Sequence, residues 1–129
     1  MNAYCDASYA NGIGIICYKF DKDPMFCEEF RAKDNYEMET LAVERLLWFR
    51  DMYYPGMFLI INTDYTGNKQ KELDGLLPNA TIRITKGHRK GSAGLTYEEK
   101  QFRKVDQCAR AELRARVKSR FPKALQFTF

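Results

Sequence analysis

Apolar and polar positions alternate from the second residue of the chain. In Asn2-Ala3-Tyr4-Cys5-Asp6-Ala7-Ser8, strand geometry puts Tyr4, Asp6 and Ser8 on one face and Ala3, Cys5 and Ala7 on the other. Tyr9 to Gly12 reads as a turn, Ile13 to Phe20 as a buried strand, Asp21 to Pro24 as a second turn, and Met25 to about Arg31 as a third strand. The period then changes to that of a helix. Asp34 stands as N-cap with Glu37 three residues on, and Leu41, Ala42, Arg45, Leu46, Phe49 and Met52 recur at helical spacing until Pro55-Gly56. Leu47 and Trp48 broaden the stripe, and Trp48 reads as core.

Met57 to Thr63 is a nearly continuous apolar run, the pattern of a strand covered on both faces, and Asp64 ends it. A short helix from Thr66 to about Leu77 stops at Pro78, and Ala80 to Thr85 forms a further strand. Lys86 to Tyr97 is a basic, glycine-containing loop, and from about Glu98 to Arg120 the residues Phe102, Val105, Ala109, Leu113 and Val117 mark one long amphipathic helix. The order is three strands, helix, strand, helix, strand, helix. It predicts an α/β fold: a five-stranded mixed sheet, antiparallel at first and parallel after the first helix, flanked by about three helices. The folded domain is expected over 1–120. The apolar tail 121–129, ending Leu125-Gln126-Phe127-Thr128-Phe129, is expected to be an extra strand, a core-docking segment or a motif for a protein partner.

Length and composition add limits to this picture. A chain of 129 residues with 45% hydrophobic and 29% charged residues matches one globular domain rather than a disordered segment. The absence of a membrane-length apolar run and of a secretory signal predicts a cytoplasmic protein with no membrane partner. Cys5, Cys17, Cys27 and Cys108 are scattered singly, so buried free thiols are expected, with no zinc knuckle and no C-x-x-C motif. Net charge is +4, but residues 1–82 carry 8 Lys and Arg against 13 Asp and Glu, while residues 83–129 carry 13 against 4. A basic C-terminal part suits a polyanion partner and equally a solvated helix face.

The acids then become informative by position. Asp6 lies inside the first strand, Glu39 near the start of the first helix, Asp64 at the end of the central strand, and Asp106 between Val105 and Ala109 at the edge of the last helix's buried stripe. Parallel sheets open their crevice at the C-terminal ends of the strands. Carboxylates converging there would raise one another's pKa, and hard divalent cations with oxygen ligands are the best explanation of such a cluster.

At these same residues the chain resembles the type 1 ribonucleases H. Asp6-Ala7-Ser8 followed by Asn11-Gly12-Ile13-Gly14 is similar to the family's opening strand and turn, and Asn35-Tyr36-Glu37-Met38-Glu39-Thr40-Leu41-Ala42 to its Asn-x-x-x-Glu-x-x-Ala helix. Asn62-Thr63-Asp64 resembles its Thr-Asp-Ser strand end, Thr85-Lys86-Gly87-His88 its Lys-Gly-His loop, and Val105 to Arg110 its Asp-x-x-Ala-Arg helix. The resemblance spans about residues 1–115, with all five segments in the family's order. Glu39 rather than Glu37 is the matching acid, because Glu37 is used in capping and Ala42 stands at the family's spacing from Glu39. Departures are Tyr65 where relatives often carry Ser, no basic helical handle, and a longer stretch between His88 and Asp106.

The resemblance implies an endonuclease that hydrolyses the RNA strand of an RNA/DNA hybrid, leaving 5′-phosphate and 3′-hydroxyl ends. It implies two Mg²⁺ ions, with Mn²⁺ as a substitute, about 4 Å apart. Asp6 would bridge the ions, Asp106 would complete the ion that activates water, Glu39 and Asp64 would hold the other, and His88 would move protons or assist product release. Asn11, Gly12 and Asn35 are the expected contacts to the minor groove or 2′-hydroxyl, and Lys86, Arg89 and Lys90 to backbone phosphates. Two other readings stay open: a same-fold nuclease for branched or single-stranded DNA, and a module that binds nucleic acid or protein without cutting. Clustered negative charge opposes the second, because it repels a polyanion.

Overall fold

A computed structural model of the chain describes residues 1–85 and 94–120. His88, Lys86, Arg89 and Lys90, and the apolar tail, lie outside the described residues. The elements are β1 (Asn2–Ala10), β2 (Ile13–Phe20), β3 (Phe26–Arg31), α1 (Asn35–Tyr53), β4 (Leu59–Thr63), α2 (Gly67–Leu73), β5 (Ala80–Ile84) and α3 (Tyr97–Arg120). The predicted order and kinds of element are those observed. One mixed sheet runs β3-β2-β1-β4-β5, with the first two pairings antiparallel and β1–β4 and β4–β5 parallel.

The β1–β2 turn is tighter than expected and uses Asn11-Gly12 alone. Both residues have positive φ, 51° and 78°, as the twist-matched two-residue hairpin requires. Alternation along the strands divides the core into two layers. Ala3, Cys5, Ala7, Ile16 and Tyr18 face α1 with Met38, Ala42, Val43 and Leu46. Tyr4, Ile13, Ile15 and Cys17 face α3 with Phe102, Val105, Ala109, Leu113 and Val117. Gly14 sets how closely α1 approaches β2: a Cβ there would stand 1.9 Å from Met38 Sδ. A side chain at that position would push out the turn that carries Glu39.

Capping fixes where the long helices begin. Asp34 Oδ1 accepts from the Glu37 N–H at 2.9 Å, and Glu37 Oε2 accepts from the Lys33 N–H at 3.2 Å. At the start of α3, Thr96 Oγ1 accepts from the Glu99 N–H while Glu99 Oε1 accepts from the Thr96 N–H, both at 3.1 Å. That reciprocal box starts the helix one residue before the expected Glu98.

Two expectations are corrected. Trp48 is 50% exposed rather than core, because the buried stripe of α1 runs through Met38, Ala42, Val43, Leu46 and Arg50 and leaves position 48 on the far side. Its ring instead meets Phe49 edge-on and lies under the Arg45 guanidinium, 4.9 Å from ring centre to Cζ. Cys17 and Cys27 are joined by a disulfide rather than remaining free thiols, whereas Cys5 is free and buried. The reason is register: β2 and β3 place Cys17 directly opposite Cys27, a pairing that a spacing of ten residues does not reveal.

Candidate active site

The parallel β1–β4 pairing sets Tyr4 opposite Asn62, and just beyond that last pair Asp6 and Asp64 bring their carboxylates together. Asn62 fixes the strand end from beneath. Its Nδ2 donates to Ala3 O at 2.9 Å, and its Oδ1 accepts from the Thr85 hydroxyl at 3.3 Å. Past Thr63 the chain leaves the sheet, and Asn68 at the start of α2 holds the exit: buried, it donates to Glu39 O at 3.4 Å and Thr63 Oγ1 at 3.5 Å. Glu39 comes from the second turn of α1 and Asp106 from the middle of α3, so the two helices reach the strand ends from opposite faces of the sheet.

The four acids line one open cleft of about 530 Å³ together with Asn35, Tyr36, Tyr65 and Arg110. One carboxylate oxygen from each of Asp6, Glu39 and Asp64 lies within 4.8 Å of the other two. Asp106 hydrogen-bonds the Asp6 side chain and faces Arg110 one turn on, Nε to Oδ1 3.5 Å. Asp6, Glu39 and Asp106 are all at least nine-tenths buried. Asn35 touches the acids: its amide donates to Glu39 Oε1 at 3.4 Å. Asn11 and Gly12 do not line the cleft; they are exposed at the hairpin beyond its Tyr9 wall.

Electrostatics here are unfavourable without a counter-charge. The Asp6 carboxyl is held far above the ordinary range, first by burial, then by its hydrogen bond with Asp106 and by the charges of Glu39, Asp64 and Asp106. Glu39 is raised by burial and by Asp64, offset in part by contacts from Asp6, the Asn35 amide and the Ala7 N–H. Its Oε2 is buried with no hydrogen-bond partner among the described residues. Crowded acids and an orphaned carboxylate oxygen are satisfied either by shared protons or by a cation. An all-oxygen anionic donor set is suited to a hard divalent ion.

Both carboxyls titrate higher folded than unfolded, so the native state holds extra protons above the ordinary carboxylate range, and stability falls as pH rises through that window. In EDTA, unfolding free energy from urea titrations is expected to drop by about 1–3 kcal/mol between roughly pH 5 and pH 8, because a tenfold difference in proton affinity between the folded and unfolded states is worth about 1.36 kcal/mol. Millimolar Mg²⁺ should restore it. A flat profile in EDTA would show that the acids are not crowded in the folded protein.

No protein-family model matches this chain, and no curated protein matches its sequence. Among solved structures, that of native prototype foamy virus protease-reverse transcriptase matches with a TM-score of 0.62 at 14% identity. The match covers 85% of this chain and 20% of that one. The fold is ribonuclease H-like.

In a ribonuclease H-like frame, β1 and β4 are the adjacent strands that bring Asp6 and Asp64 together, as the sequence positions predict. Glu39 rather than Glu37 points into the cleft; Glu37 is exposed at the cap. Tyr36, Tyr65 and Arg110 line the cleft with no role assigned from the sequence. Tyr36 and Tyr65 lean together at the rim with ring centres 5.6 Å apart, and Arg110 approaches Asp106. Tyr36 and Arg110 fall inside the motif segments, but a motif does not show which of its intervening side chains turn inward. Asn68 carries no signal beyond its place one residue into a short helix. Among the described residues no helix is long and apolar enough to cross a membrane.

Proposed function

We propose that this chain is a metal-dependent endonuclease that hydrolyses the RNA strand of RNA/DNA hybrids, leaving 5′-phosphate and 3′-hydroxyl ends. The observation that carries the proposal is the convergence of four acids, from β1, α1, the end of β4 and α3, on one open cleft, with a buried oxygen on Glu39 that has no hydrogen-bond partner among the described residues. A module that only bound nucleic acid would gain nothing from such a cluster, which costs stability and repels phosphate.

Asp6, Glu39, Asp64 and Asp106 are the residues that would hold the divalent ions, two Mg²⁺ or Mn²⁺ in this reading. Such ions supply a water nucleophile active at neutral pH and charge neutralisation at the leaving oxygen. The chain's own residues do the rest. Asn35 holds the Glu39 carboxylate in one orientation through its amide. Arg110 sits beside Asp106 and offers positive charge at the wall where a scissile phosphate would enter. His88, Lys86, Arg89 and Lys90 belong to the proposal by resemblance, with His88 moving protons or assisting release and the three cations meeting phosphates. Asn11 and Gly12, at the tip of the β1–β2 hairpin, are proposed to contact the flanking minor groove.

The rim tyrosines are proposed to support a sugar or base of the bound strand. Tyr36 is 65% exposed and braced by Tyr65, as a stacking surface requires. Tyr36→Ala should raise KM for hybrid about 5- to 150-fold with kcat nearly unchanged, from about 1–3 kcal/mol per stacked base. An unchanged KM would remove Tyr36 from substrate binding.

The deciding experiment incubates end-labelled RNA/DNA hybrid, double-stranded DNA, double-stranded RNA and branched DNA with the protein in Mg²⁺, Mn²⁺ or EDTA. Cleavage of hybrid alone, dependent on the metal, is expected. Hybrid left intact in both metals refutes the activity, and faster cleavage of a DNA substrate reassigns it.

A further inference from the structure

On the α3 side of the sheet, well removed in chemistry from the acidic cleft, three elements each contribute one cysteine to a single point. Cys17 of β2 is fully buried, and Cys27 of β3 and Cys108 of α3 are partly buried. Their sulfur atoms all lie within 4.8 Å of one another, and Cys108 Sγ is 3.3 Å from Cys27 Sγ. The assembly is braced from both sides. Cys17 faces Cys27 in the β2–β3 register, and Glu29, two residues beyond Cys27, pairs with Arg116 at 3.2 Å and Arg120 at 2.6 Å to tie β3 to α3. Ligands carried on separate, packed elements are already held in position for a shared ion.

We propose that in the reduced protein Cys17, Cys27 and Cys108 form a three-thiolate site for a thiophilic cation of the Zn²⁺ class. Three sulfur donors select a soft or borderline ion and disfavour Mg²⁺, so the chain would carry two sites of opposite preference. The fourth position falls to water or to Glu112, which stands one helical turn on from Cys108 and also meets Arg116 at 3.2 Å. The partial exposure of Cys27 and Cys108 gives an ion its entry. The Cys17–Cys27 disulfide is the alternative state of the same cluster. A dithiol opens it by delivering two electrons and two protons, becoming a cyclic disulfide itself and leaving two cysteine thiols. The entering cation then displaces the protons of three thiols to solvent. Bound there, the ion would join β2, β3 and α3 two residues from Asp106. The site does not depend on the nuclease reading.

The test uses the full chain, reduced with a phosphine, desalted without oxygen and titrated with Co²⁺. An intense near-ultraviolet thiolate-to-cobalt band is expected, saturating at one equivalent and bleached by Zn²⁺ but not by excess Mg²⁺. The band should persist in Asp6→Asn, which lacks an acid of the other site, and in Cys5→Ala, whose sulfur lies in the other layer. It should vanish in Cys108→Ser and Cys27→Ser, with far-ultraviolet circular dichroism confirming that each is folded. If either serine variant is unfolded, slowed alkylation of Cys27 and Cys108 in the parent on adding Zn²⁺ serves instead. Absence of the band in the reduced parent, its survival in folded Cys108→Ser, or alkylation unaffected by Zn²⁺ would overturn the proposal.

Discussion

In the proposed nuclease, Asp6→Asn is expected to slow hybrid cleavage by at least about 10³-fold, since removing one carboxylate from the proposed metal site would forfeit several kcal/mol of transition-state stabilisation and each 1.36 kcal/mol or so is tenfold in rate. The substitution keeps size and hydrogen-bonding shape but removes the charge at the most crowded acid, the one that hydrogen-bonds Asp106 and faces Glu39 and Asp64. The same change should stabilise the metal-free fold. At neutral pH the parent must either hold a proton on Asp6 or tolerate its charge beside three acids, and Asn requires neither. A gain of about 1–2 kcal/mol in EDTA near pH 8, with a flatter dependence on pH, is expected. Single-turnover cleavage and urea unfolding of the two proteins measure both effects. A variant that cuts as fast as the parent would sink the nuclease reading. A variant that loses activity and stability together would point to a structural role for Asp6.

Arg50→Ala should cost roughly 3–5 kcal/mol, a large share of the 5–15 kcal/mol typical of a domain, because charged hydrogen bonds are worth about 1.5–3 kcal/mol each and are not additive. Arg50 is 2% exposed near the C-terminal end of α1. Its Nη1 donates to Met57 O at 3.0 Å and Asn79 O at 2.9 Å, its Nη2 to Pro78 O at 2.8 Å, and its Nε meets Asp51 at 2.7 Å. One guanidinium thus gathers the chain entering β4 and the chain entering β5, the two parallel strands whose register places Asp64. Arg50→Lys should lose most of the same stability, since a single ammonium cannot reproduce that fork. Urea midpoints with unchanged m-values are the measurement. A loss under about 1 kcal/mol in Arg50→Ala would show that solvent replaces the three bonds at little cost.

The regular elements are legible because their periods are written in consecutive residues. Alternation at Ala3, Cys5 and Ala7 against Tyr4 and Asp6 predicts the two faces of β1, and Phe102 to Val117 at helical spacing predicts the buried side of α3. The acids are legible for a related reason. Strand ends and helix starts are local features, and βαβ connectivity sends Asp64 to the same sheet edge as Asp6. Trp48 misleads because bulk and hydrophobicity alone do not fix the angle at which α1 lies on the sheet. Packing against the sheet sets it: Gly14 admits Met38 close to β2, and the buried stripe runs from Met38 to Arg50. The cysteines mislead because their partners are 10 and 81 residues away in sequence.

The kinds and order of elements, the faces of β1 and α3, and the positions of the four acids are therefore readable from the linear chain. Each of these depends on the spacing of neighbours along one segment. Packing between segments decided how closely the acids crowd, that one Glu39 oxygen is buried without a partner among the described residues, that Tyr36 leans on Tyr65, and that Cys17, Cys27 and Cys108 share one point. Those depend on register and helix approach, which are set by contacts between distant segments that a linear pattern does not encode.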